Sequence, residues 1–134
     1  MAVEKAITPL FTNPPILETM RSLGADAALT DSWSPLIDEL RRFHNLKNDW
    51  DGEGTEAPPP ALIEAAIRLA HAFQKDGAAP ADRVIVGVNG TIYFEWHTPL
   101  RYREIEVISP VAAESRWVRK GSDVSEVSKL SLPS

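Results

Sequence analysis

The sequence predicts an α+β fold, with two to three helices packed on one face of a three- to four-stranded antiparallel meander. Three observations carry that expectation. Apolar residues recur at helical spacing in two stretches of the first half, near residues 34–47 and 60–75. From Arg83 onward the period changes to two. Asn89-Gly90 then sits between two alternating runs, a strong hairpin signal. Helices that precede a run of strands segregate to one side of an antiparallel sheet, and short connections make successive strands neighbours.

Residues 1–30 read as an N-terminal arm, loose as far as Asn13-Pro14. A short helix is expected over Pro15–Leu23, with Ile16, Met20 and Leu23 on one face and Gly24 as its stop. Residues 31–120 form a single domain. Its first firm helix starts at Ser34-Pro35, where serine caps free amides and proline loses nothing by lacking one. Leu36, Ile37, Leu40 and Phe43 make its stripe, and it ends near Leu46 or Lys47. The second helix begins at Pro58-Pro59-Pro60 and runs to about Lys75. Leu62, Ile63, Ala66, Ile67, Leu69, Ala70 and Phe73 form a wide apolar arc, and Gly77 caps its end.

The Asn89-Gly90 turn, taken as a two-residue loop, sets a register. Val88 faces Thr91, Val86 faces Tyr93 and Val84 faces Glu95. On the other side Gly87 faces Ile92, Ile85 faces Phe94 and Arg83 faces Trp96. Ile85, Ile92, Phe94 and Trp96 then make the core face. A third strand runs over Tyr102–Ile108, with Ile105 and Val107 inward and Glu104 and Glu106 outward. A fourth, Glu114–Lys120, turns Trp117 inward and Arg116, Val118 and Lys120 outward. Residues 121–134 are serine-rich and expected to be a mobile tail, with Val124, Val127 and Leu130 as light docking points.

Composition bounds the function. The 134 residues suit one domain, with 43% hydrophobic and 25% charged side chains. There is no cysteine, which excludes disulfides, thiolate metal sites and cysteine nucleophiles. No signal peptide is evident and no apolar run reaches the roughly 18 residues that span a bilayer. A cytoplasmic location and no membrane association are expected. A formal net charge of −5 argues against direct nonspecific nucleic-acid binding and leaves open a basic protein partner.

The segment Asn48-Asp49-Trp50-Asp51-Gly52-Glu53-Gly54 is the most unusual stretch. Asp49, Asp51 and Glu53 occupy the first, third and fifth positions of a calcium-loop pattern, with Gly54 at the sixth. They are the candidate metal ligands. The pattern fails at its twelfth position, where Pro60 replaces a bidentate glutamate. The competing expectation is structural. Trp50 plugs a gap between helices and sheet, Gly52 and Gly54 take angles other residues avoid, and the aspartates accept loop amides.

Glu95 and His97 share a strand face and invite an acid/base reading, with Glu104 or Asp51 as a second carboxylate. The bland alternative pairs Glu95 with Arg116. His44 and His71 are boundary residues at helical stripes. Zinc-hydrolase, phosphate-loop and serine-nucleophile motifs are missing. No cofactor is expected, and the reading leans to a non-enzymatic protein. The outer sheet face gathers Tyr93, Glu95, Tyr102, Glu104 and Glu106, with Val84 and Val86. That mixture of rings, valines and carboxylates is the candidate partner-binding surface. A homodimer through the sheet is a further option.

The run from Leu46 to Pro58, with Gly90-Thr91-Ile92-Tyr93-Phe94-Glu95-Trp96 and Glu104-Ile105-Glu106-Val107, resembles a family of small uncharacterised bacterial proteins. That family has an Asn-Trp-Asp-Gly-x-Gly loop and a Glu-Trp hairpin strand. The resemblance covers roughly residues 36–108. Asp49 departs from the usual asparagine, and Thr55-Glu56 are inserted before Ala57. No activity comes with the resemblance. Relatives often carry an aromatic residue at the position of Glu53, which speaks against a ligand there. It further implies that Trp50 and Trp96 meet edge to face, with Asp51 and Glu95 near one rim. Trp50, Asp51, Gly52, Gly54 and Trp96 are thus the expected structural set. The functional expectation is an acidic interaction protein of bacterial or phage origin that binds a macromolecule, like an antitoxin, an immunity protein or an anti-defence inhibitor. The alternative is a small-ligand or divalent-metal activity centred on the acidic loop.

Overall fold

A computed structural model describes residues 32–121 and 125–133. The expected arm and short helix within residues 1–30 lie outside the described residues. Helix α1 spans Trp33–Arg42, with a single 3-10 turn at Phe43–Asn45, and α2 spans Pro60–Lys75. Strands β1 (Arg83–Val86), β2 (Ile92–His97), β3 (Arg101–Ser109), β4 (Ala112–Arg119) and β5 (Ser125–Ser131) follow. They form one antiparallel sheet in the order β1-β2-β3-β4-β5, and α1 and α2 pack on its inner face.

Helix α1 begins before the expected serine. Ser32 holds the N-cap position and makes no side-chain cap bond. The cause is Trp33, which is fully buried and donates its indole N–H to the Ala78 carbonyl at 2.9 Å. Anchoring that ring draws the helix start back, and Pro35 still falls in the first turn, where its missing N–H has no helical partner to lose. Trp33, Ile37, Leu40 and Phe43 are the buried stripe.

Helix α2 follows the expectation closely. The extended Pro59 (ψ 147°) offers its carbonyl to the amides of Leu62 and Ile63. At the other end Gly77 adopts φ 74°, the Ala78 amide reaches the Phe73 carbonyl and the Gly77 amide reaches Gln74. That pair of bonds is a Schellman cap, which needs a residue tolerant of positive φ.

The sheet corrects the sequence reading at two places. First, it has five strands among the described residues rather than three to four. Residues 125–131, expected to be mobile tail, pair with β4 along its whole length, from Val118↔Ser125 to Ala112↔Ser131. Leu130 and Leu132 are buried there and join the core. A serine-rich edge strand that contributes one large apolar side chain carries almost no hydropathy signal, which is why it reads as tail.

Second, the β1–β2 register is displaced by one residue. Arg83 faces Glu95, Val84 faces Phe94, Ile85 faces Tyr93 and Val86 faces Ile92. The loop is three residues long: the Gly90 amide bonds the Gly87 carbonyl, the Gly87 amide bonds the Thr91 carbonyl, and Gly90 sits at φ 79°. This is a type I turn closed by a glycine bulge, the second common hairpin solution. A one-residue slip exchanges the faces of a strand. Val84 and Val86 therefore face the core, and Ile85 faces outward beside Tyr93.

The core closes around four rings. Trp33 lies 5.5 Å from Phe73 and 6.5 Å from Trp96, while Phe94 stacks near Trp96 at 6.3 Å. Trp50 is not part of this cluster. It is 44% exposed, too open to solvent for a residue that plugs a helix–sheet gap. Trp33 occupies the place the sequence reading gave to Trp50. Along the same inner face lies a row that the sequence reading did not single out, Trp96–Arg103–Trp117. The Arg103 guanidinium is 5.4 Å from each indole centroid and donates through Nε and Nη2 to Ser115 Oγ. Burial lowers its pKa to about 9, and it remains a cation at neutral pH.

Candidate functional site

The outer sheet face assembles all five residues expected to contact a partner. Strand phase puts Tyr93 and Glu95 of β2 on the same side as Tyr102, Glu104 and Glu106 of β3. Pairing then sets Glu95 opposite Glu104, and Tyr93 opposite Glu106. On β4, Arg116 faces Glu104 and Glu114 faces Glu106. Lys129 on β5 lies opposite Glu114, and Val127 opposite Arg116.

Each carboxylate has a distinct surrounding. Glu95 is only 6% exposed despite its place on the outer face. Its partner is Arg83, whose Nε donates to Oε1 at 2.6 Å, and not the Arg116 expected from the sequence. The corrected register makes the difference, because it places Arg83 directly across from Glu95. The bond in turn raises the Arg83 pKa. His97 Nε2 stands 3.6 Å from the same carboxylate oxygen, and its ring lies 4.7 Å from that of Tyr102. Tyr102 donates its hydroxyl to Glu104 Oε1 at 2.6 Å, while Arg116 reaches Glu104 Oε2 only at 4.0 Å. Burial, then the hydrogen bond to Glu104, pushes the Tyr102 pKa upward. Glu106 accepts the Thr91 hydroxyl at 2.7 Å. Burial and the neighbouring Glu106 raise Tyr93 to about 12.

Two like-charge pairs therefore stand directly across strands, Glu95/Glu104 and Glu106/Glu114. Direct opposition of like charges disfavours the isolated sheet. The first pair is relieved by Arg83 and Arg116. The second is flanked by Lys129, with no ion pair within 4.0 Å to either glutamate among the described residues. Rings of Tyr93 and Tyr102, the half-buried Ile85 and Val118, and the exposed Val127 supply apolar surface between the charges.

The acidic loop is a self-contained turn. Asp49 takes φ 63°, a left-handed conformation aspartate tolerates, and Gly52 and Gly54 take φ 76° and 83°. Asp49 Oδ1 accepts the Gly54 amide at 2.7 Å. Asp51 accepts the amides of Glu53 and Thr55 through Oδ1 and the Thr55 hydroxyl through Oδ2. The Thr55 hydroxyl, with the Glu53 amide, holds the Asp51 carboxyl below its ordinary pKa. Asn48 Oδ1 accepts the Ala57 amide, and the Glu56 amide bonds the Val88 carbonyl, tying the loop to the hairpin tip. The aspartates are turned onto their own loop. Among the described residues no group of three or more His, Asp or Glu side chains is placed to hold a metal ion. Asp49, Asp51 and Glu53 do not converge as a ligand set.

His44 pairs with Glu64 at 2.9 Å and His71 lies 3.3 Å from Gln74, both exposed. A shallow apolar hollow of about 190 Å³ lies at the turn end, bordered by Pro59, Leu62, Thr91, Ile108 and Pro110, with no titratable lining residue. No described helix is long and apolar enough to cross a membrane.

Together these features define an α+β protein whose described residues place two helices on a five-stranded meander, with a mixed acidic and aromatic outer face. Compared with known proteins, the chain matches no family model, no curated protein and no solved structure.

Proposed function

We propose that this chain is a non-enzymatic acidic interaction protein, of bacterial or phage origin, that binds a macromolecular partner through its outer sheet face. Its mode of action is that of an antitoxin, an immunity protein or an anti-defence inhibitor working in the cytoplasm. The partner is a protein with basic side chains at the contact. The observation that carries this reading is the single contiguous surface formed by Tyr93, Glu95, Tyr102, Glu104 and Glu106, in which carboxylates oppose each other across strands. A cation supplied from outside would offset that opposition, and the two tyrosine rings would give it an apolar seat. The two loop aspartates favour a scaffold role over a ligand site, since both Asp51 oxygens and Asp49 Oδ1 accept loop amides and a hydroxyl.

The test is capture of a stoichiometric partner by the tagged chain, compared with the double variant E104K/E106K. Loss of capture with an unchanged melting curve supports the outer face. Undiminished capture sinks it.

A further inference from the structure

We propose that Asn89-Gly90 is a site of spontaneous deamidation, and that isoaspartate formed there releases the hairpin tip from the loop at residues 48–57. Asn89 is exposed at the tip, while Gly90 beneath it is buried. A Cβ at Gly90 would stand 3.0 Å from the Ala57 carbonyl oxygen, and its φ of 79° disfavours any other residue. The fold therefore requires glycine immediately after an exposed asparagine, an intrinsically thermolabile residue. Glycine has no side chain to hinder attack by its own nitrogen once the turn opens. The chain's other asparagines precede Pro14, Leu46 and Asp49, all bulkier.

The step balances with water as the sole co-reactant and no change of oxidation state. The Gly90 nitrogen loses its proton and bonds to Asn89 Cγ. The Cγ–Nδ2 bond breaks and ammonia leaves. Water then opens the resulting succinimide: attack at Cγ gives aspartate, and attack at the main-chain carbonyl gives isoaspartate, with the backbone rerouted through the side chain. In the native turn the Gly90 amide donates to the Gly87 carbonyl at 2.9 Å. The reaction thus draws on opening of that turn, and it accelerates as rising pH favours loss of the amide proton.

Isoaspartate inserts a methylene into a three-residue loop whose closure depends on the Gly87–Thr91 bond. The Val88 carbonyl that holds the Glu56 amide at 3.0 Å belongs to the same loop. The lengthened backbone therefore acts on the junction between hairpin and loop.

The test incubates the folded chain, N89Q and N89D at neutral and mildly alkaline pH. Conversion is read by peptide mapping and isoaspartyl methyltransferase labelling, and junction opening by hydrogen exchange at the Glu56 amide. Conversion is expected at Asn89 ahead of Asn45 and Asn48, faster at the higher pH and absent in N89Q. Glu56 protection is expected to be lost in the isoaspartyl fraction and retained in N89D. An intact Asn89 in the native chain, with conversion of the same chain in urea, overturns the proposal by showing that the turn locks the amide away. Conversion that leaves Glu56 protected overturns the release.

Discussion

Arg103 shows how a single side chain can organise an inner sheet face. Its guanidinium fills the space between Trp96 and Trp117 and satisfies Ser115. Arg103→Ala removes two cation–π contacts and leaves a cavity between the rings. A loss of about 2–4 kcal/mol in urea unfolding is expected. Asp51 makes a different prediction, one of pH. Its folded pKa lies below the ordinary value near 3.9. Its contribution is therefore fully present above that ordinary value and is lost as pH falls through the lower, folded one. Hydrogen exchange at the Glu53 and Thr55 amides should show an acid-induced loss of protection in the native chain. D51N, which cannot titrate, should show none.

At the scale of elements, β5 is the feature to test, because the sequence suggests light docking there at most and not a paired strand. Leu130 is buried against the core, whereas Val127 on the same strand is 54% exposed. Leu130→Ala should cost about 2–4 kcal/mol, and Val127→Ala less than about 0.5 kcal/mol. Equal effects in denaturant melts would mean that the strand does not hold the core. Both described helices were legible, because a 3.6-residue period over ten or more positions argues strongly for a helix. The strand phases of β2, β3 and β4 were legible for the same reason at period two. The β1 register was not. Asn-Gly supports a two-residue turn or a three-residue turn with a bulge, and the choice between them rests on tertiary contacts. Here Tyr93 packs where a Gly87 side chain would be, within 2.7 Å of a Cβ position, and Gly90 packs on Ala57. Trp33 and Arg103 escaped notice because their roles depend on partners distant in sequence, Ala78 for one and Ser115 for the other.

Across the whole molecule, the structure separates two surfaces. The inner face buries the helices, and the outer face presents carboxylates between tyrosines. The five expected contact residues were legible as a group because β2 and β3 kept their phase, although the partner of Glu95 changed from Arg116 to Arg83. Charge reversal on this face should spare the fold. Lysine at 106 would meet Glu114, and lysine at 104 would exchange Arg116 for Glu95. The most direct measurement is partner capture by the native chain beside E104K/E106K, with melting curves for both. The outer-face reading predicts a stoichiometric partner held by the native chain, lost in the variant, and melting temperatures that agree. Capture retained by a folded variant would contradict it.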